Sequence, residues 1–231
     1  MADNTTAPVA EQATITLFAD LTQPAHVDTE ALDWVPSPMA GVERRMIERD
    51  GGEVARATSL VRYAPGSRFS AHRHDMGEEY LVLSGTFSDN AGDFPEGAYV
   101  RNPPGSSHAP HTDDGAVILV KLRQMPDGEG RTVHVNTKTA PFVPAGAPGY
   151  ERQELFAADY EQVTVERLQP GVSLEAHANG GEEIFVLDGT LSYGGDLLKA
   201  GAWLRRAAGQ EQPMASPDGV RIWVKRGHLP G

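Results

Sequence analysis

The sequence predicts an all-β protein built as tandem double-stranded β-helix (jelly-roll) barrels, and three observations carry that expectation. The chain repeats itself, its apolar segments are short, and turn residues separate them at close intervals. Glu78-Glu79-Tyr80-Leu81-Val82-Leu83-Ser84-Gly85-Thr86 returns as Glu182-Glu183-Ile184-Phe185-Val186-Leu187-Asp188-Gly189-Thr190, an offset of 104 positions. The same offset relates Gly97 to Gly201, Arg101 to Arg205, Gly105 to Gly209 and Lys121 to Lys225. A period this long marks a duplicated domain rather than a solenoid unit. No helical periodicity is sustained over a long window, and 25 glycines and 17 prolines in 231 residues suit short strands joined by turns.

Taken in order, residues 1–30 read as a loose tail with one candidate strand near Ile15–Phe18. Residues 31–123 form the first barrel. Within it, Asp50-Gly51-Gly52 between Val42–Arg49 and Val54–Tyr63 is a hairpin signal. Ala64-Pro65-Gly66 is a turn that reappears as Gln169-Pro170-Gly171. Tyr80–Leu83 and Ile184–Leu187 are apolar on both faces, which suits strands buried between two layers. Residues 124–149, punctuated by Pro126, Gly128, Gly130, Pro141, Pro144, Gly146, Pro148 and Gly149, read as a linker. Val133-His134-Val135 inside it is a candidate to pair with a sheet edge. Residues 150–231 form the second barrel.

Composition narrows the function classes. With 20 basic against 32 acidic residues the net charge is −12. Phosphate binding needs a concentrated basic surface, so nucleic acid is not an expected partner. The absence of cysteine removes disulfides, thiolate metal sites and cysteine nucleophiles together. No apolar run approaches the roughly 18–20 residues that cross a bilayer. Met1–Gln12 has neither a basic n-region nor an apolar h-region, so a cytoplasmic location is expected and no membrane contact.

Chemistry concentrates in Gly66 to Glu78 and in Gly97 to His108. His72 and His74 are two apart, so on a strand both side chains leave one face about 7 Å apart. Glu78 follows a short Asp-Met-Gly turn and His108 arrives after a separate Pro/Gly-rich turn. Three imidazoles and a carboxylate buried without an ion would carry unmatched desolvation costs, whereas a divalent cation satisfies all four. The expected metal ligands are therefore His72, His74, Glu78 and His108. The donor set suits Fe or Zn, with Mn, Ni and Co also admissible, and the lack of sulfur argues against Cu(I).

These residues carry a family resemblance. G-x5-H-x-H-x3-E-x6-G followed by G-x5-P-x-G-x2-H, filled by Gly66, His72, His74, Glu78, Gly85, Gly97, Pro103, Gly105 and His108, resembles the two-part signature of cupins. The Asn that often closes the second block falls at Thr112. The wording Gly77-Glu78-Glu79-Tyr80 through Asp89, with Val100-Arg101-Asn102-Pro103-Pro104-Gly105-Ser106-Ser107-His108, is similar to the ChrR-like branch. With the repeat, the resemblance implies a bicupin. That branch includes the cupin domain of ChrR-type anti-sigma factors and enzymes similar to acetylacetone and dihydroxyacetophenone dioxygenases.

The second repeat departs from the ligand pattern. His177 falls on His72, but Asn179 replaces His74, Gln212 replaces His108 and Ala207 replaces Pro103, while Glu182 remains. One metal per chain is expected. His111, three residues past His108, is a candidate proton shuttle or support residue. Arg101, Tyr99 and Lys121 are candidates to face the barrel interior and position an anionic or carbonyl substrate. Glu79 and Glu183 point by alternation to the opposite face, where a surface or interface salt bridge is expected.

The expected function is a mononuclear non-haem iron dioxygenase acting on a small dicarbonyl or hydroxyketone. The alternative is a zinc-binding regulatory cupin that senses a small molecule or stress without catalysis, and a metal-dependent isomerase or lyase stands third. An anti-sigma role fits poorly, since those proteins pair the cupin with a His/Cys-rich zinc domain that this cysteine-free chain lacks. The expected partners are a small-molecule substrate or ligand and, beyond that, at most a second copy of the chain in a homodimer.

Overall fold

The computed structural model describes residues 14–52, 54–175, 180–210 and 212–230. Among them the only helical element is a 3-10 turn at Thr29–Ala31, and everything else regular is β. No helix is long and apolar enough to cross a membrane.

Two large antiparallel sheets follow the same recipe. The first orders its strands Ile15–Leu17, Val42–Gly51, Ala55–Tyr63, Ala116–Leu122, Glu78–Asp89, Ala98–Asn102 and Val133–Asn136. The second orders them Val143–Pro144, Tyr150–Ala158, Glu161–Leu168, Val220–Arg226, Glu182–Tyr193, Ala202–Arg206 and Ala25–Asp28. Short ribbons complete each jelly roll: His72–Arg73 pairs Ser107–His108, and Ser173–Leu174 pairs Met214–Ala215. The expected hairpin at Asp50-Gly51-Gly52 is present, with Val42–Gly51 antiparallel to Ala55–Tyr63.

The last strand of each sheet comes from the other repeat. Ala25–Asp28 precedes the first jelly roll but pairs Ala202–Arg206 of the second. Val133–Asn136 precedes the second jelly roll but pairs Ala98–Asn102 of the first. The two strands are repeat equivalents, 108 positions apart from Ala25 to Val133. Residues 1–30 are therefore not a loose tail where they are described. Ala25 and Val27 are buried in the core between the repeats, and the backbone around them satisfies the edge of a sheet. The stretch 124–149, read as a linker, holds the reciprocal strand and Val143–Pro144.

Strands apolar on both faces make sense in this arrangement. Along Glu78–Asp89, Tyr80 and Val82 face the interior of the first jelly roll, while Leu81 faces the inter-repeat core. That core sets Leu81, Tyr99 and Leu119 with Phe185, Trp203 and Trp223, their equivalents in the second repeat. Ionic side chains are buried beside it. Lys121 bonds Glu183 and Lys225 bonds Glu79, so each lysine reaches the glutamate of the other repeat. Arg101 lies 3.1 Å from Glu79 and 2.5 Å from Glu161, and Arg205 lies 2.5 Å from Glu48.

Candidate metal centre

His72 and His108 are direct cross-strand partners in the two-residue ribbon, so their side chains leave the same face. His74 continues past that ribbon, its N–H donating to the Ser106 carbonyl at 2.9 Å and its carbonyl accepting from Gly105 at 2.7 Å. The three rings meet edge to face, with centroids 4.6 to 5.2 Å apart. Gly77 turns the chain into the Glu78 strand with φ of +76°, and a Cβ there would sit 2.4 Å from the Met125 sulfur. Only glycine meets both conditions, and it brings Glu78 Oε2 to 3.5 Å from His74 Nε2 and 3.6 Å from His108 Nε2.

Each imidazole is held by its Nδ1. His72 Nδ1 lies 3.2 Å from the Ser70 carbonyl, His74 Nδ1 lies 3.3 Å from Ser106 Oγ, and His108 Nδ1 lies 2.8 Å from Asp89 Oδ2. Acceptors there leave Nε2 with its lone pair toward the common point. One ligand nitrogen from each ring lies within 4.8 Å of the others. The Nε2 atoms of His74 and His108 are buried and have no hydrogen-bond partner. Two orphaned lone pairs beside a carboxylate fit a divalent cation, and these three histidines can hold one.

Burial pushes the His74 imidazole down, toward the neutral form a metal needs. At His108 burial acts the same way, but Asp89 and Glu78 outweigh it and raise the ring. Sequence reasoning missed Asp89. It closes the same strand that Glu78 opens, and its other oxygen accepts from the Ala91 N–H at 2.7 Å. It fixes both the tautomer and the angle of His108. Asp89→Ala is expected to weaken metal binding about 10–100-fold, leaving the fold intact, as read by competition with a coloured chelator. Unchanged affinity would remove Asp89 from the site.

The other sequence candidates fall elsewhere. Along Ala98–Asn102, Ala98 and Val100 pack inside the jelly roll and Asn102 donates to Glu78 Oε2 at 3.3 Å. Tyr99 and Arg101 point the opposite way, between the repeats, where both bond Glu79. Neither can position a substrate at the histidines. The alternation that turned Glu79 outward applies to them also. Lys121 is likewise an interface residue, bonded to Glu183 and to Thr58 at 2.8 Å. His111 makes backbone bonds with Ser88 at the rim and is not part of the ligand cluster. Thr112, at the position of the family's Asn, is fully buried and donates to the Thr86 carbonyl at 2.7 Å.

A cavity of about 310 Å³ opens beside His72, His74 and Glu78. Its walls come from Val42–Gly51, Ala55–Tyr63 and Ala116–Leu122, and Tyr63 closes it near Glu78. In the second repeat, Glu182 is engaged otherwise. Arg206 bonds it, and Arg226 Nε donates to its Oε2 at 2.8 Å while reaching Glu166 as well. Guanidinium groups supply the positive charge there. His177 and Asn179 lie outside the described residues.

The geometry agrees with what the chain is similar to. Salicylate 1,2-dioxygenase from Pseudoaminobacter salicylatoxidans, solved with gentisate, matches with a TM-score of 0.64 at 12% identity, over 90% of this chain and 82% of that one. A candidate dioxygenase from Nostoc punctiforme matches with a TM-score of 0.74 at 15% identity, over 94% and 88%. The bacterial pirin YhhW from Escherichia coli, in complex with nickel(II), matches with a TM-score of 0.66 at 12% identity, over 90% and 99%. At such identities these likenesses establish the fold. No curated protein sequence matches the chain. The family model described as the ChrR Cupin-like domain matches twice, over residues 22–126 and 130–230. Those two segments take in nearly the whole chain, including both exchanged strands, and the protein belongs to the ChrR Cupin-like family as a bicupin.

Proposed function

We propose that the first repeat holds one divalent metal through His72, His74, Glu78 and His108, and that with iron the chain is a mononuclear dioxygenase. Its substrate class is a small dicarbonyl or hydroxyketone, cleaved at a C–C bond with dioxygen as oxidant. One observation carries this reading: the ligand cluster opens onto a cavity of about 310 Å³. A purely structural zinc site closes its coordination and has no use for such a space. Two neighbours in fold, the salicylate 1,2-dioxygenase and the candidate dioxygenase, also support it.

A bound metal would supply Lewis acidity toward substrate oxygens and, as iron, electron transfer to dioxygen. The protein does the rest. Asp89, Ser106 and the Ser70 carbonyl hold the three rings in one geometry. The apolar walls, Val42, Val61, Val120 and Leu122 among them, limit water around the reacting carbons. Tyr63 keeps its proton, because burial and then Glu78 raise the phenol. Its hydroxyl is thus a donor for a substrate oxygen.

The test is an oxygen electrode with iron-loaded, zinc-loaded and metal-free protein and a panel of β-dicarbonyls and α-hydroxyketones. Substrate-dependent uptake is expected with iron alone. Glu78→Gln should slow uptake more than it weakens iron binding, because the lost anionic charge makes iron harder to oxidise. If iron-loaded protein consumes no oxygen across the panel while zinc binds tightly and permanently, the zinc-binding regulatory reading replaces the enzyme.

A further inference from the structure

The charged side chains around the cavity beside the histidines are engaged by the protein itself. Arg44 donates to Ser37 Oγ at 2.7 Å, and Arg49 donates to the Gly52 carbonyl. Arg123 donates to Asp75 at 3.2 Å, and Glu78 faces His74 and His108. Arg73 is exposed and stands between His72 and His74 in the chain. What remains of the wall is largely hydrocarbon: Val42, Ala55, Ala57, Val61, Val120 and Leu122. That apolar lining continues to the surface, where Met39 is 46% exposed and Val54 71% exposed.

The second repeat shows what the same positions hold when the chain fills the space. By strand register, Val42, Ala57, Ser59, Val61 and Leu122 correspond to Tyr150, Gln162, Thr164, Glu166 and Arg226. All five first-repeat residues line the cavity. Four of their counterparts join in a network: Tyr150 bonds Glu166, Thr164 Oγ1 donates to Glu166 Oε1 at 2.9 Å, and Arg226 Nη2 donates to Oε2 at 3.1 Å. Glu166 and Thr164 are fully buried there. At each of the five positions the first repeat carries a smaller side chain, and none of them is charged. An unfilled apolar space costs stability, so five reductions in size around one space point to a guest.

We propose that this cavity takes the hydrocarbon tail of the substrate, a neutral dicarbonyl or hydroxyketone. Its oxygens face the histidine cluster, and its alkyl chain lies along Ala57, Val61 and Leu122 toward Met39 and Val54. The proposal rests on the metal-centred reading above and narrows its substrate class to members with an apolar tail. The volume agrees with it. An apolar cavity of roughly 150 Å³ takes up a six-carbon ring, so about 310 Å³ holds a five-carbon dicarbonyl and a tail of similar bulk.

The experiment compares three ligands on one frame: acetylacetone, its homologue with one methyl replaced by butyl, and that homologue with the butyl chain ending in a carboxylate. Each is titrated calorimetrically into full-length zinc-loaded protein, where no turnover occurs, and into metal-free protein. The butyl homologue is expected to bind about 30- to 60-fold more tightly than acetylacetone, from three added methylenes at about three- to fourfold each. The carboxylate should lose most of that gain, because a charge among these walls gives up its hydration. Ala57→Leu, which narrows the wall, should cut the gain to below about fivefold, with acetylacetone affinity and zinc content unchanged. Should that variant fail to fold, Val61→Leu adds bulk to the same wall and carries the test with the same expectation. Equal binding of acetylacetone and its butyl homologue, tighter binding of the carboxylate than of the butyl homologue, no binding of any of the three, or a gain that survives the wall variant overturns the proposal. A gain that is equally large in metal-free protein and that the wall variant removes upholds the apolar subsite and sinks the metal-centred reading instead.

Discussion

Metal-loaded protein freed of excess ion should retain one equivalent per chain, and His74→Ala or His108→Ala should retain none. Each substitution removes one of the four proposed donors and leaves the remaining rings around a gap. Loss of a supporting residue alone costs about 10–100-fold in affinity, and loss of a donor costs more. The expectation of a single equivalent rests on the second repeat. Glu182 there is already bonded by Arg206 and Arg226, two cations that a third would have to displace. Gln212 stands where His108 stands in the first repeat, and amides are poor ligands for such metals. Glu182→Gln and His177→Ala should therefore leave metal content unchanged, as read by elemental analysis of natively purified protein. Two equivalents in the parent chain, or loss of metal on changing Glu182, would defeat the assignment.

That His72, His74 and His108 gather at one point was legible in the sequence, because spacing along a strand is a local property. The duplication was equally legible, since an ungapped echo needs no structure to be seen. What escaped was everything that depends on which strand lies beside which. Tyr99 and Arg101 obey the same alternation that turned Glu79 away from the site, but assigning their face requires the register with Glu78–Asp89. Asp89 supports His108 from 19 positions away, and no spacing rule links them. The strand exchange is the clearest case. Val133–Asn136 has the pattern of an edge strand, and the sequence carries that much. That it caps the preceding repeat, while Ala25–Asp28 caps the following one, follows from how two sheets pack, not from either segment.

Glu79→Ala should destabilise the protein far more than any exposed ion-pair variant, by about 3–5 kcal/mol, because it strands buried cations between the repeats. Glu79 accepts from Lys225, from Arg101 at 3.1 Å and from the Tyr99 hydroxyl at 2.6 Å, and all four residues are essentially solvent-free. The Glu43–Arg62 pair is a fair control: both side chains are about 40% exposed, at 39% and 42%, and Glu43→Ala should cost about 0–1 kcal/mol. Acid should reproduce the Glu79 effect. Burial alone would raise its carboxyl, but Lys225 and Arg101 outweigh burial and hold it at about 2. A folded pKa below the unfolded value of about 4.5 means that this stability is complete above pH 4.5 and is lost as the pH falls toward 2. Glu183, held well below its usual range by Lys121 and His228 against the same burial, adds to the fall in the same direction. Thermal melts at successive pH values should show a midpoint that is level down to about pH 4.5 and then drops steeply, with a smaller drop in Glu79→Ala. Because each sheet ends on a strand from the other repeat, melting should remain a single transition throughout. A flat midpoint down to pH 3, or a Glu79→Ala cost no larger than that of Glu43→Ala, would show that the buried network does not hold the repeats together.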